Sequence, residues 1–250
     1  MSKPNQFVNL PEPRRLILSW LPDLDLSNET QSRTRRAVGE LQNVDGNISF
    51  RYLRGTESFD NALAEGFEDY PAYPMTKTDM VFKNCMSIFS RRLVPNTRLD
   101  YKDHLNAYGI DHNGSYSDFH LLALTGGRNS TDTFEFINPL EELSYGAVGL
   151  LEVAGVRHYQ KVDFSNLSIG SAISFEHEPE NTFDPNAIKV IAENGVQLGW
   201  INRIQISATI CAENLNDFDA EIFRLNGRVG YRRIFVLFKF KNRSLSSSAA

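Results

Sequence analysis

A polar, proline-broken stretch at residues 177–190, HEPENTFDPNAIKV, runs directly into strand-forming residues. It places an amide, an aromatic ring and a carboxylate within four positions, at Asn181, Phe183 and Asp184. The two polar groups can exchange hydrogen bonds with a sugar hydroxyl, and the ring can stack on a base. The carboxylate would repel a phosphate there, which favours a free hydroxyl. The alternative is a turn that only shapes the fold, since the residue before Pro185 avoids the helical region.

Further residues of the second half can contact a nucleic acid. Trp200 offers another flat face for stacking, and His158 can stack or donate a hydrogen bond. Arg157 and Arg203 can bind phosphates. A secondary basic strip follows the last acidic residue. Its alternative explanation is that the edges of β-hairpins commonly carry lysines and arginines, which prevent aggregation. The candidate contacts of that strip are Arg228, Tyr231, Arg232 and Arg233.

The composition limits the functions that are open to this chain. Of its 250 residues 41% are hydrophobic and 23% charged, and the formal net charge is −5. A non-specific polycation for nucleic acids is therefore excluded, whereas a local basic groove is not. Two distant cysteines predict a reduced protein without a disulfide framework. No apolar run can span a membrane and no signal peptide is present, so we expect a cytoplasmic protein.

Residue patterns typical of catalysis or metal binding are missing from the sequence. The five histidines do not stand at zinc-site spacing with the cysteines. The GGRNST run at residues 126–131 lacks the lysine of a phosphate-binding loop, and no serine lies in a nucleophile elbow. The acids Glu176, Glu178, Glu180 and Asp184 with Lys189 resemble a nuclease set only loosely, and a solvated strand face explains the first two. We expect no enzyme, no cofactor and no metal.

The segments after residue 147 predict mostly strands, because they are rich in Val, Ile and Phe. Asn194-Gly195 predicts a hairpin turn. One helix is expected over residues 202–217, with Asn202 as its cap. Its apolar face would carry Ile204, Ala208, Cys211 and Leu215. The polar tail, residues 244–250, is expected to be disordered.

Residues 147–241 resemble a HIRAN domain. Three runs carry the resemblance in the family's order, namely GVRHYQKV, ISFEHEPENTFDPNAIKV and GVQLGWI. The resemblance implies a small OB-like β-barrel with one or two helices, which we place at residues 145–243. It also implies recognition of the 3′ end of single-stranded DNA. His158 and Phe183 stand where the best-known member has tyrosines, so the rings are kept and the hydroxyls lost. Trp200 replaces a histidine of that member.

The first half predicts a mixture of strands and helices. Two strands are joined at Asp45-Gly46, a strong hairpin signal. Helices are predicted over residues 79–93 and 100–109, and a third begins after the cap Ser117. The runs RAVGELQNVDGNISFRYL, FSRRLVPNTRLDYKDHLNAYGI and FHLLALTGGRNSTDTFEFINPLEE resemble the small N-terminal subdomain of the HipA toxin-kinase family. The kinase core of that family is absent, so no ATP chemistry is implied.

We therefore expect an α+β, non-enzymatic, bacterial protein of two domains. Residues 1–140 would form the HipA-subdomain-like part, which docks a protein partner. Residues 145–243 would form the HIRAN domain, which binds single-stranded DNA or a 3′-OH end. Two alternatives remain open: a protein-interaction element of the toxin–antitoxin type, and an accessory subunit of a separate nuclease or helicase.

Overall fold

The computed structural model describes residues 10–22, 34–76, 80–139, 148–159, 167–205, 217–226 and 233–241. Pro11–Pro139 packs as one compact unit, and the described residues from 148 onward belong to another. Both units are built on an antiparallel sheet, and the described helices are short. The α+β class predicted from the sequence is confirmed. None of the described helices is long and apolar enough to cross a membrane.

The first unit contains a five-stranded antiparallel sheet in the order β4-β3-β2-β1-β5. Asp45 and Gly46 join β2 to β3 with positive φ angles of 50° and 83°, as the right-handed twist of a two-residue hairpin requires. The hairpin predicted at this dipeptide is confirmed. The strands are β1 (Arg15–Trp20), β2 (Arg36–Val44), β3 (Asn47–Tyr52), β4 (Val81–Lys83) and β5 (Glu135–Ile137).

Short helices connect the strands of this unit, and side-chain caps fix where two of them begin. Thr56 accepts a hydrogen bond from the Phe59 amide, and Ser117 accepts one from the His120 amide at 2.9 Å. The cap predicted at Ser117 is therefore confirmed. The helices are α1 (Glu57–Ala64), α2 (Met86–Phe89), α3 (Tyr101–Ala107) and α4 (Asp118–Thr125).

The single helix predicted over residues 79–93 is wrong in its first part. Val81–Lys83 forms β4, in which Phe82 pairs with Phe50 of β3. Asn84 then takes a positive φ of 55°, and only after it do α2 and a 3₁₀ turn at Ser90–Arg92 follow. The helix-like spacing of apolar residues is shared between a strand and a helix, which are joined at a residue with left-handed backbone angles. The packing of Phe82 beside Phe50 outweighs the local periodicity.

The second unit contains a six-stranded antiparallel sheet in the order β6-β11-β10-β7-β8-β9. Its inner face buries Ile173, Val190, Ile222 and Val236, among other apolar side chains. The sheet curls so that the residues following β6 reach β9. The strands are β6 (Val148–Glu152), β7 (Ala172–His177), β8 (Ile188–Ala192), β9 (Gln197–Trp200), β10 (Phe218–Asn226) and β11 (Arg233–Phe240).

Two backbone hydrogen bonds link the outer strands of this curled sheet. The Ala154 amide donates to the Trp200 carbonyl at 2.8 Å, and the Trp200 amide donates to the Ala154 carbonyl at 2.9 Å. The strand hairpin predicted at Asn194-Gly195 joins β8 to β9 and is confirmed. The helix predicted over residues 202–217 lies mostly outside the described residues, as does the tail at residues 244–250.

Candidate nucleic-acid interface

The loop between β7 and β8, residues 178–187, is built from its own polar groups. The Asn181 side-chain oxygen accepts hydrogen bonds from the amides of Phe183 and Asp184, at 3.0 and 3.1 Å. The Asp184 carboxylate accepts one from the Asn186 amide at 3.0 Å. The Glu178 amide donates to the Ala187 carbonyl at 2.8 Å, which holds the two ends of the loop together. The sequence folds here as consecutive Asx turns.

Asn181 is used mainly to shape this loop. Its amide oxygen has two lone pairs, and the two backbone amides occupy both of them. Its Nδ2 donates to Glu178 Oε2 at 2.7 Å. Of the two polar residues predicted to contact a terminal sugar hydroxyl, Asp184 is therefore the better placed acceptor.

Phe183 lies on the loop between these two polar residues, and 73% of it is exposed. A single exposed apolar residue is common on protein surfaces and by itself indicates nothing. Here the hydrogen bonds of Asn181 hold the backbone on both sides of the ring in one conformation. The ring is consequently presented at a defined place.

The two predicted residues of opposite charge lie beside each other. Arg203 approaches Asp184 with 3.9 Å between Nη1 and Oδ2, which is the outer limit of an ion pair. The side chain of Arg203 is 41% exposed and that of Asp184 is 23% exposed. A cation and a carboxylate at this separation can act on different groups of one ligand, for example a phosphate and a hydroxyl.

Trp200 lies at the end of β9, half-buried against the 3₁₀ turn Val156–Tyr159. Its ring centroid is 5.6 Å from that of Tyr159 and 6.5 Å from that of the exposed His158. Gly155 lies against the indole, and a Cβ there would come within 2.7 Å of the ring. The predicted residues His158 and Trp200 are thus brought together, and Tyr159 is a neighbour that the sequence analysis missed.

Glu178 is the main residue of this region whose environment the sequence analysis missed. The sequence predicts a solvated strand face for both Glu176 and Glu178. This prediction describes Glu176, but the side chain of Glu178 is only 23% exposed. Its Oε2 accepts hydrogen bonds from Trp200 Nε1 at 2.8 Å and from Asn181, and its Oε1 lies 3.2 Å from Lys189 Nζ. Only the register that pairs Lys189 with Trp200 could have revealed this.

These contacts decide the charge of Glu178. Partial burial raises the pKa of the Glu178 carboxyl, but the hydrogen bonds from Asn181, Trp200 and Lys189 outweigh it and leave the pKa below its usual value. The hydrogen bond with Glu178 raises the pKa of Lys189 in turn. At neutral pH the group is therefore a carboxylate that accepts three donors.

Of the remaining predicted contacts, only Arg233 has a described side chain. The backbone of Arg157 lies in the 3₁₀ turn, and its side chain is outside the described atoms. Arg233, in β11, forms a two-pronged ion pair with Glu152 at 2.9 and 2.8 Å. Arg228, Tyr231 and Arg232 lie outside the described residues. Over the described ranges, no three His, Cys, Asp or Glu side chains are grouped to hold a metal ion.

Comparison with known proteins matches part of the second unit to a domain family. Residues 148–231 match the family model of the HIRAN domain, which confirms the resemblance drawn from the sequence. No curated protein matches the chain. The resemblance of the first half to the HipA subdomain stays a prediction.

Two solved structures are similar to part of the chain. A protein from Lactobacillus plantarum is 22% identical over 37% of this chain and 95% of its own, with a TM-score of 0.31. The HIRAN domain of human HLTF is 21% identical over 38% of this chain and 77% of its own, with a TM-score of 0.29.

Replacing Gly199 by alanine should open the link between Ala154 and Trp200. Gly199 has φ near 150°, and a Cβ there would lie 2.1 Å from the Ala154 carbonyl oxygen. We expect Gly199→Ala to lower the free energy of unfolding of this unit by about 2–4 kcal/mol, through backbone strain and lost hydrogen bonds. Denaturant unfolding followed by Trp200 fluorescence, in a Trp20→Phe background, measures it.

Gly195→Ala is the matched control for this measurement. Gly195 also has a positive φ, of 79°, but nothing lies within 4 Å of a Cβ built there. It should cost only the backbone penalty of about 1–2 kcal/mol. Equal losses in the two variants would show that the approach of Gly199 to Ala154 contributes nothing to stability.

Proposed function

We propose that this chain is a non-catalytic nucleic-acid-binding protein whose HIRAN domain holds single-stranded DNA at a free 3′ end. The observation that carries the proposal is the exposed ring of Phe183, fixed on a hydrogen-bonded loop beside the Asp184 carboxylate and the Arg203 guanidinium. A ring, an anion and a cation together match the base, the hydroxyl and the phosphate of a terminal nucleotide.

Each group of this site has one function in the proposal. Phe183 stacks on a base, a contact that tolerates any sequence because every base has a π-face. Arg203 binds a phosphate on the 5′ side of that base. Asp184 already accepts a hydrogen bond from Asn186 on Oδ1, and its other oxygen accepts one from the terminal hydroxyl. Trp200 offers a second stacking surface, with His158 beside it.

The preference for an end follows from the charge of Asp184. Within a continuous strand the 3′ oxygen carries a phosphate, and a carboxylate at that place repels it. A terminal hydroxyl instead donates a charge-assisted hydrogen bond to the carboxylate. The same residue therefore favours the end and disfavours the interior of a strand.

The second part of the proposal is that the unit Pro11–Pro139 docks a protein through the edge of its sheet. Among the described residues β4 pairs only with β3, and it exposes 56% of Val81 next to Met80, which is 44% exposed. Arg54 lines a cavity of about 150 Å³ with these two residues, and Lys83 is exposed. An extended, acidic segment of a partner protein matches such an edge, by adding a strand to β4.

This docking edge also suits the alternatives. A nuclease or helicase subunit bound at β4 would receive a DNA end from the HIRAN domain, and the chain would be its accessory subunit. In a toxin–antitoxin-type complex the same edge would be used without DNA. The accessory-subunit alternative requires the chain to bind DNA and the toxin–antitoxin-type alternative does not, so a measurement of DNA binding distinguishes them.

Val81→Glu should weaken capture of the partner about tenfold or more, because it puts an anion on an apolar edge that faces an acidic segment. Val44→Glu is the control, since Val44 is 61% exposed on β2, which β3 separates from β4, and does not line the cavity. Affinity purification of both tagged variants, with mass spectrometry of what is retained, measures the effect. Retention of the same protein by both variants and by wild type would exclude β4 as the docking edge.

The full chain should bind a short single-stranded oligonucleotide, with an affinity that falls as salt rises through counterion release. Phe183→Ala should remove about 1–3 kcal/mol of stacking, which is about 5- to 150-fold in affinity. Ile169→Ala serves as control, because Ile169 is 46% exposed in the same unit but lies outside the loop. Fluorescence anisotropy at two salt concentrations tests this. A folded chain that fails to bind at low salt would refute the proposal.

The end preference should appear as at least about tenfold tighter binding of a 3′-OH oligonucleotide than of the same oligonucleotide with a 3′-phosphate. A charge-assisted hydrogen bond is worth about 1.5–3 kcal/mol, and repulsion adds to the difference. Asp184→Asn and Asp184→Ala should both narrow the gap, and the asparagine variant can keep the bond from Asn186. If all three proteins bind both ends equally, Asp184 is a turn residue and the site does not recognise ends.

A further inference from the structure

One carboxylate oxygen joins two separate parts of the candidate site. Glu178 Oε2 accepts a hydrogen bond from Trp200 Nε1, on β9, and another from Asn181 Nδ2, within the loop that carries Phe183. The two distances are 2.8 and 2.7 Å. The other oxygen is held by Lys189 of β8 at 3.2 Å. The side chain thus links β8, β9 and the loop through three donors.

We infer that Glu178 is a positioning residue that ties the indole of Trp200 to the loop of Phe183, so that the two rings hold successive bases at one fixed spacing. The inference rests on the proposed binding of single-stranded DNA. Glu178 itself would not bind the nucleic acid, because protein donors take three of its roughly four acceptor sites and its negative charge repels phosphates.

The indole needs such a tie because packing alone does not fix it completely. Gly155 lies against the ring, and Tyr159 approaches it at a tilt of 50°. The side chain remains partly exposed, and its polar edge carries a single donor and no acceptor. The hydrogen bond to Glu178 fixes the direction in which this edge points.

The tie also restricts how Trp200 can read a base. The Nε1–H of Trp200 already donates a hydrogen bond to Glu178, so it cannot donate one to a base edge. Only the face of the ring is left for the ligand, and stacking on a face is tolerant of sequence. The structure thus favours recognition of the terminal nucleotide by its shape and its hydroxyl, without discrimination among the four bases.

The tie should be sensitive to acid, and the sign follows from the contacts. The pKa of Glu178 is lowered in the folded chain, so the stabilisation is complete above the ordinary glutamate value of about 4.3 and is lost as pH falls through the lower folded value. The charged and titratable groups that face Glu178 are Lys189, Glu176 and Tyr159. His177 precedes Glu178 in the chain, and the His158 ring lies 6.5 Å from the ring of Trp200. A variant that cannot titrate at position 178 is therefore required.

The first experiment needs no DNA. In a Trp20→Phe background, Trp200 is the one tryptophan left, and its emission reports on the indole. Glu178→Ala should shift the emission to the red and raise quenching by acrylamide. Glu178→Gln, which keeps an acceptor, should restore most of the wild-type signal at neutral pH but lose the change on acidification below about pH 4.3. Glu176→Gln, which removes the charge of the exposed neighbouring carboxylate, should keep both the wild-type emission at neutral pH and its change on acidification.

The second experiment is a double-substitution cycle on affinity for a 3′-OH oligonucleotide. Glu178→Ala and Trp200→Phe should each weaken binding about tenfold. The double variant should bind no more weakly than the worse single variant, because both changes break one tie. Glu176→Gln combined with Trp200→Phe should show the effect of Trp200→Phe alone.

The outcomes separate this inference from the function on which it rests. Unchanged Trp200 emission in Glu178→Ala would overturn the tie, whatever the DNA result. Altered emission with unaltered DNA affinity would overturn the positioning role while leaving DNA binding in place. A wild-type chain that does not bind DNA overturns the proposed function, and the emission then shows separately whether the tie exists.

Discussion

The geometry of the second unit, which contains the match to the HIRAN family model, depends on the pair of backbone hydrogen bonds between Ala154 and Trp200. They join the ends of a six-stranded sheet, so that residues that are 46 positions apart along the chain become cross-strand neighbours. The approach is possible because Gly199 has no Cβ and Gly155 leaves room for the indole. His158 and Tyr159 follow directly in a 3₁₀ turn and reach the same ring. Without this link, the turn and the end of β9 would have no common site.

A second constraint acts on the loop between β7 and β8. A ten-residue loop has many conformations, and side-chain acceptors that capture its backbone amides remove most of them. Asn181 and Asp184 do this between them for three amides. Glu178 then joins the ordered loop to Trp200. The polar residues of this loop therefore shape the fold, and they do so without excluding the proposed site, so the two interpretations raised by the sequence are compatible.

Local signals in the sequence predicted local structure well. Asp45-Gly46 and Asn194-Gly195 mark the two hairpins because few other residues accept the backbone angles of such turns. The cap at Ser117 is equally local. The helix predicted over residues 79–93 failed because the choice between strand and helix was made by the neighbour Phe50, which lies 32 residues from Phe82. The periodicity of apolar residues along one segment contains no information about the packing of rings across strands.

The candidate site shows the same division between local and long-range information. Asn181, Phe183 and Asp184 could be identified from the sequence because they form one continuous motif, and Trp200 because its flat ring suggests stacking. Glu178 could not, since its significance depends on Trp200 of β9, which β8 separates from the end of β7. A carboxylate near a strand end is usually a solvated group, and it becomes a structural acceptor only when the register brings donors to it. Here the register supplies an indole, an amide and an ammonium group to a single carboxylate. An ionised carboxylate is the one kind of side-chain group whose two oxygens can accept all three without donating, and that is the physical reason for a carboxylate at this position.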